Sequence, residues 1–124
     1  MSKKHLAIKW LSEPAKHDYT AAESYLSLVF AATTVAKYVK KLRQARMTEF
    51  KSKDLLRASA LSRLGVSNSR VERDREKINK GTQLSPILLV RDSRNARLII
   101  ADGYHRLCAV YSLDEDASIP CRIV

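Results

Sequence analysis

The apolar positions of this chain follow two regimes, helical spacing in the N-terminal part and short unbroken runs in the C-terminal part. Residues 6–11 read as a short strand or extended arm that ends at Ser12-Glu13-Pro14. Asp18-Tyr19-Thr20 offers capping residues, and Tyr25, Leu26, Leu28 and Val29 then give an apolar face to a short helix over 21–30. The spacing of Val35, Tyr38, Val39 and Leu42 predicts a second helix from Thr33-Thr34 to about Arg46, so the two form a hairpin joined at Ala31 and Ala32. Residues 49–51 read as a brief strand and 53–57 as the turn that follows it. Asn68 and Ser69 start a highly charged helix over 70–80, ended by Gly81. Its apolar content is Val71 and Ile78, which places it on the surface.

After Ser85-Pro86 the pattern changes. Ile87-Leu88-Leu89-Val90 is a continuous apolar run of strand length, expected to be buried on both faces. Residues 91–96 turn the chain and 97–101 return as a second strand, most simply as a hairpin. The helix that follows is apolar nearly all round from Leu107 to Leu113 and must pack on several sides. Asp114-Glu115-Asp116 lie just beyond its end, and 119–124 close the chain as a strand. This order of elements is that of an α+β fold.

Composition narrows the class. At 124 residues and 45% apolar the chain can bury one real core. Its net charge of +10 makes phosphates, nucleotides or nucleic acid plausible partners, and residues 1–48 alone hold nine bases against three acids. Cys108 and Cys121 are the only cysteines and form no C-x-x-C pair, which fits a reduced, cytoplasmic setting rather than a disulfide framework. The basic start, residues 1–4, is followed by an apolar piece too short for a signal peptide, and no run approaches the roughly 18 residues of a membrane span. The basic hairpin offers a helix-turn-helix reading, but its apolar positions look committed to packing, and a charge run on a helix is ordinarily a solvated face.

The candidate chemistry lies in Ala101-Asp102-Gly103-Tyr104-His105-Arg106, where a strand meets a helix through a glycine. Helix N-termini carry partial positive charge and unpaired N–H groups, so His105 and Arg106 in the first turn are misplaced unless an anion such as phosphate is bound there. Asp102 is either the helix cap or a magnesium ligand or base. His105 either contacts phosphate and moves a proton or makes a local hydrogen bond. Arg106 either grips phosphate or forms an ion pair with Asp102 or Glu49. Tyr104 either stacks on a base or sugar or closes the core.

From about Thr48 to Val124 the ordered set of pieces resembles the ParB/sulfiredoxin superfamily. These pieces are a short strand and turn ending at Arg57, a charged helix, the Pro-led strand from Pro86, a second strand, the Gly-x-His-Arg turn at Gly103, Tyr104, His105 and Arg106, and a closing Ile-Pro-x-x-Ile/Val strand. The resemblance implies a small mixed sheet in a domain over 48–124, with residues 1–47 as a helical hairpin extension packed on it. It implies a nucleotide phosphate site at Gly103, Tyr104, His105 and Arg106, with Arg57 reaching in from the first strand's turn. Asp102-Gly103-Tyr104-His105-Arg106 looks closest to the box of superfamily members that are small-molecule kinases. Sulfiredoxins carry a catalytic Cys where this chain has Tyr104, so their chemistry is not expected, and Cys108 should point into the core. The expectation is a nucleotide- or phosphate-binding protein that takes a nucleoside triphosphate or diphosphate with magnesium. As an enzyme it would be a phosphotransferase or nucleotidase with Asp102 and His105 as the catalytic pair. The alternative is a non-enzymatic protein that meets nucleic acid through its basic surface.

Overall fold

In the computed structural model, which describes residues 7–62, 65 and 68–124, helices α1 (Lys16–Leu26) and α2 (Ala32–Gln44) lead into strand β1 (Thr48–Lys51) and helices α3 (Ser52–Ser59) and α4 (Ser69–Asn79). Strands β2 (Ile87–Asp92) and β3 (Arg97–Asp102), helix α5 (Tyr104–Leu113) and strand β4 (Ser118–Ile123) complete the chain. Leu6 and residues 1–4, on which two of the sequence expectations fall, lie outside the described residues. The sheet is mixed, in the order β1-β4-β2-β3. β2 and β3 form the expected antiparallel hairpin, α5 carries the chain back over the sheet, and β4 inserts between β1 and β2, parallel to β2.

Alternation along β2 and β3 divides the core in two. Ile87, Leu89, Leu98 and Ile100 face one side, where Leu55, Val71, Ile78, Leu107, Val110 and Ile119 are buried against them. Leu88, Val90, Ile99 and Ala101 face the other, where Tyr19, Ala22 and Leu26 of α1 and Val35, Val39 and Leu42 of α2 close over them. The molecule is therefore three layers, α1 and α2, then the sheet, then α3, α4 and α5. Helices α1 and α2, part of the segment set apart in the sequence as an extension, supply an entire layer. The arm before α1 makes one parallel bridge, Trp10 with Leu84, fixed by the Leu11 N–H donating to the Leu84 carbonyl at 2.8 Å.

Two expectations about elements need correction. Residues 53–57 are not a turn but the middle of α3. Ser52 starts it, buried, with its hydroxyl donating to the Glu115 carbonyl at 2.7 Å, and Leu55 anchors it in the core. The first helix begins at Lys16 and stops at Leu26, so Asp18 lies inside its first turn, buried, rather than capping it. The charged helix begins where expected, with the Asn68 side chain accepting from the N–H groups of Arg70 and Val71, and lies at the surface, packed on α5 through its two buried residues Val71 and Ile78.

Candidate functional site

β3 ends at Asp102, and the chain must turn at once to start α5. Gly103 makes the turn with φ at 109°, a conformation that strains any side chain. A Cβ at this position would also lie 2.8 Å from Cγ1 of Ile87 and 3.0 Å from Nη2 of Arg106, so the glycine is needed for space as well as for backbone freedom. Gly103, and not Asp102, is the residue before the helix, and no side chain caps it. The first intrahelical bond runs from the Leu107 N–H to the Gly103 carbonyl at 2.9 Å. The N–H groups of Tyr104, His105 and Arg106 thus have no partner within the helix.

Arg106 has company that the sequence only half disclosed. Its Nη2 donates to Asp102 Oδ2 at 2.9 Å, one helical turn back, and lies 3.4 Å from both Asp18 Oδ2 and the Pro86 carbonyl. The side chains are 17% exposed for Arg106, 18% for Asp102 and 4% for Asp18. Asp18 is in turn bonded by the Ser85 hydroxyl, whose oxygen accepts from the Ala15 N–H at 3.0 Å, and His17 Nε2 stands 3.3 Å from its other oxygen. Burial pushes the Asp102 carboxyl above the usual carboxylate range, against the opposing pull of Arg106. The misplaced cation therefore has an internal answer, because two carboxylates share its charge without any bound anion. Asp102 is thus an ion-pair partner of Arg106 and not the cap of the helix.

The other edge of the same turn opens into a hollow of about 220 Å³ lined by 102–106 and by Arg70, Arg73, Asp74 and Lys77 of α4. Those four residues occupy positions i, i+3, i+4 and i+7, one face of a helix, while Val71 and Ile78 point to the core. Arg70 and Arg73 are exposed and have no carboxylate partner among the described residues; Lys77 stands 3.9 Å from Asp74. Burial pushes the Asp74 carboxyl up, against Lys77, Arg106 and His105. Partial burial, and then Arg70, push the His105 imidazole below its ordinary value. Tyr104 lines the hollow and donates its hydroxyl to the Ser62 carbonyl.

No family model, curated protein or solved structure matches this chain.

The structure brings Asp102, Gly103, Tyr104, His105 and Arg106 together, as their adjacency requires, and leaves Arg57 apart. Arg57 is 86% exposed, is paired with Asp54 at 3.2 Å, and lines a separate hollow with Lys53, Leu56 and Tyr111. A third hollow, of about 410 Å³, between α3 and the β2–β3 hairpin is walled by Phe50, Leu55, Ala58, Leu98 and Ile123, and its rim ion pair, Arg97 with Asp92, is self-contained. The residues missed from sequence are Asp18 and the α4 quartet. The quartet was legible in its helical spacing; Asp18 was not, since its partner Arg106 lies 88 positions away. Cys108 and Cys121 are both fully buried, and burial pushes the Cys121 thiol up to about 12, so neither is poised as a nucleophile.

Chemically, the hollow offers a helix N-terminus whose first amides have no intrahelical partner, two exposed guanidiniums, an ammonium and an imidazole. This donor set suits an anion with several oxygens. Among the described residues no group of three or more His, Cys, Asp or Glu side chains is placed to hold a metal ion, and Asp74 is the carboxylate of the hollow that Arg106 does not clamp.

Proposed function

We propose that the protein binds a phosphate-bearing ligand, with a nucleoside diphosphate or triphosphate as its leading form, in the hollow between α4 and the first turn of α5. The observation that carries the reading is the convergence of Arg70, Arg73 and Lys77 on the hollow that residues 104–106, at the N-terminus of α5, also line. Cations on one wall and a helix N-terminus on the other form two sides of a phosphate cradle. The ParB/sulfiredoxin resemblance points to the same turn, with the contribution expected of Arg57 transferred to Arg70 and Arg73. Magnesium would enter with the phosphates, as it commonly does where one or two carboxylates suffice, and would meet Asp74. Phosphoryl transfer or hydrolysis at such a site depends on positioning and charge neutralisation, with His105 as the group able to carry a proton.

Calorimetric titration with ATP, CTP, ADP and pyrophosphate, each with magnesium, tests this. At least one should bind, and the double substitution Arg70→Ala with Arg73→Ala should weaken it at least tenfold while leaving the fold intact. Absence of binding by all four, or binding indifferent to the double substitution, would overturn the proposal.

A further inference from the structure

Between Glu23 and Glu49 the chain has 25 residues without a single acid, and they carry five bases, Lys37, Lys40, Lys41, Arg43 and Arg46. Half of the net charge of the whole chain lies in this fifth of its length. The structure places the first four on α2. The helix spends its apolar side, Val35, Val39 and Leu42, on the core against α1 and the sheet, which turns Lys37, Lys40 and Lys41 to solvent at i, i+3 and i+4. Arg46 is exposed just past the helix end, and Arg43 lies over the Tyr19 ring at 4.6 Å. None of the five has a carboxylate partner among the described residues.

Part of α4 shows how a charged helix in this same molecule pairs its own charges. There, bases and acids alternate and pair at i, i+3, with Arg75 against Glu72 and Lys77 against Asp74. On α2, Lys37 repels both Lys40 and Lys41, and like charges at these spacings destabilise a helix. The helix dipole offsets this only for Lys41 and Arg43 in the last turn. An exposed face that keeps self-repulsion and excludes every acid matches an external polyanion.

We infer that the outer face of α2 is a docking surface for the phosphate backbone of nucleic acid. It is distinct from the hollow at α5 and independent of the proposal made for that hollow. The surface is a row of point charges with no apolar face left to enter a bilayer, because that face is already buried in the core, and the exposed Tyr25, Leu28 and Val29 precede the N-terminus of α2 rather than flanking the lysines. Lysines bind phosphates as point charges and read no bases, so the expected binding is indifferent to sequence and steeply dependent on salt.

Fluorescence anisotropy with a labelled random-sequence 20-base-pair DNA duplex and with the matching single strand, over a series of salt concentrations, tests the inference. The wild-type protein should bind at least one of them. The triple variant K37Q/K40Q/K41Q should bind at least tenfold more weakly at low salt, with the slope of log K against log salt reduced by about two to three. A control with the same change in net charge elsewhere on the surface, K51Q/K80Q/R94Q, should lose threefold or less, and circular dichroism should show all proteins folded. No binding by the wild type would overturn the inference. So would equal losses in the two triple variants, or binding to vesicles rich in anionic lipid with none to either nucleic acid.

Discussion

Gly103 decides the geometry of the site by what it lacks. Its backbone sits where L side chains are strained, and a Cβ would press on Ile87 and on the Arg106 guanidinium. Gly103→Ala should therefore cost about 1–3 kcal/mol of stability, measurable as a shift in the denaturant midpoint. An alanine variant within 0.5 kcal/mol of the parent would show that the turn relaxes freely. Arg106 shows how far a sequence can be read at this scale. Its pairing with Asp102, four positions back, was open to inspection as one of two candidate ion pairs, and the glycine and the helix start followed from local chemistry. The second carboxylate was beyond reach, because nothing local to Asp18 signals a partner on another element. That missing partner changes the meaning of the motif, since the charge that called for a bound anion is met inside the protein.

At the scale of elements, the Asp18–Arg106 contact couples α1 to the start of α5, on opposite faces of the sheet. Asp18 is buried with its Oδ2 facing both Arg106 and the Ser85 hydroxyl. Asp18→Ala leaves that hydroxyl without its acceptor and takes one of two carboxylates from Arg106, while Asp102 remains. The expected cost is about 1–3 kcal/mol by chemical denaturation, with Asp18→Asn losing less because it keeps an oxygen for Ser85. Equal stability of both variants and the wild type would show that the buried Asp18 adds nothing net to stability.

Elements defined by their own pattern were legible. β2 showed as an unbroken apolar run, α2 as a clear period, and α4 through its Asn68 cap. α3 was not, because Leu55 and Leu56 side by side carry no helical period. It owes its start to Ser52 bonding the carbonyls after α5, more than sixty positions later. The limits of α1 were hidden for a related reason, as Asp18 is a good cap by type but is claimed by a distant cation.

Across the whole molecule, α1 and α2 close one face of the sheet while α3, α4 and α5 close the other, and the two layers carry different charge patterns. The outer face of α2 carries bases and no acid, whereas α4 mixes signs and aims three cations at the α5 turn. No helix among the described residues is long and apolar enough to cross a membrane. An anion held, as proposed, at the N–H groups of 104–106 beside His105 has a direct spectroscopic reading. Burial and Arg70 hold the His105 imidazole below its usual value, so lowering the pH through that value adds a positive charge to the hollow, and anion binding should strengthen as pH falls. By the same linkage a bound anion must raise the His105 value. The decisive measurement is an NMR titration with pyrophosphate that follows the amide signals of Tyr104, His105 and Arg106 together with the His105 ring protons across pH 5 to 8. The account predicts that those amides shift on binding and that the His105 titration moves upward. Pyrophosphate that binds without moving the three amides, or that leaves the His105 titration where it stood, would contradict it.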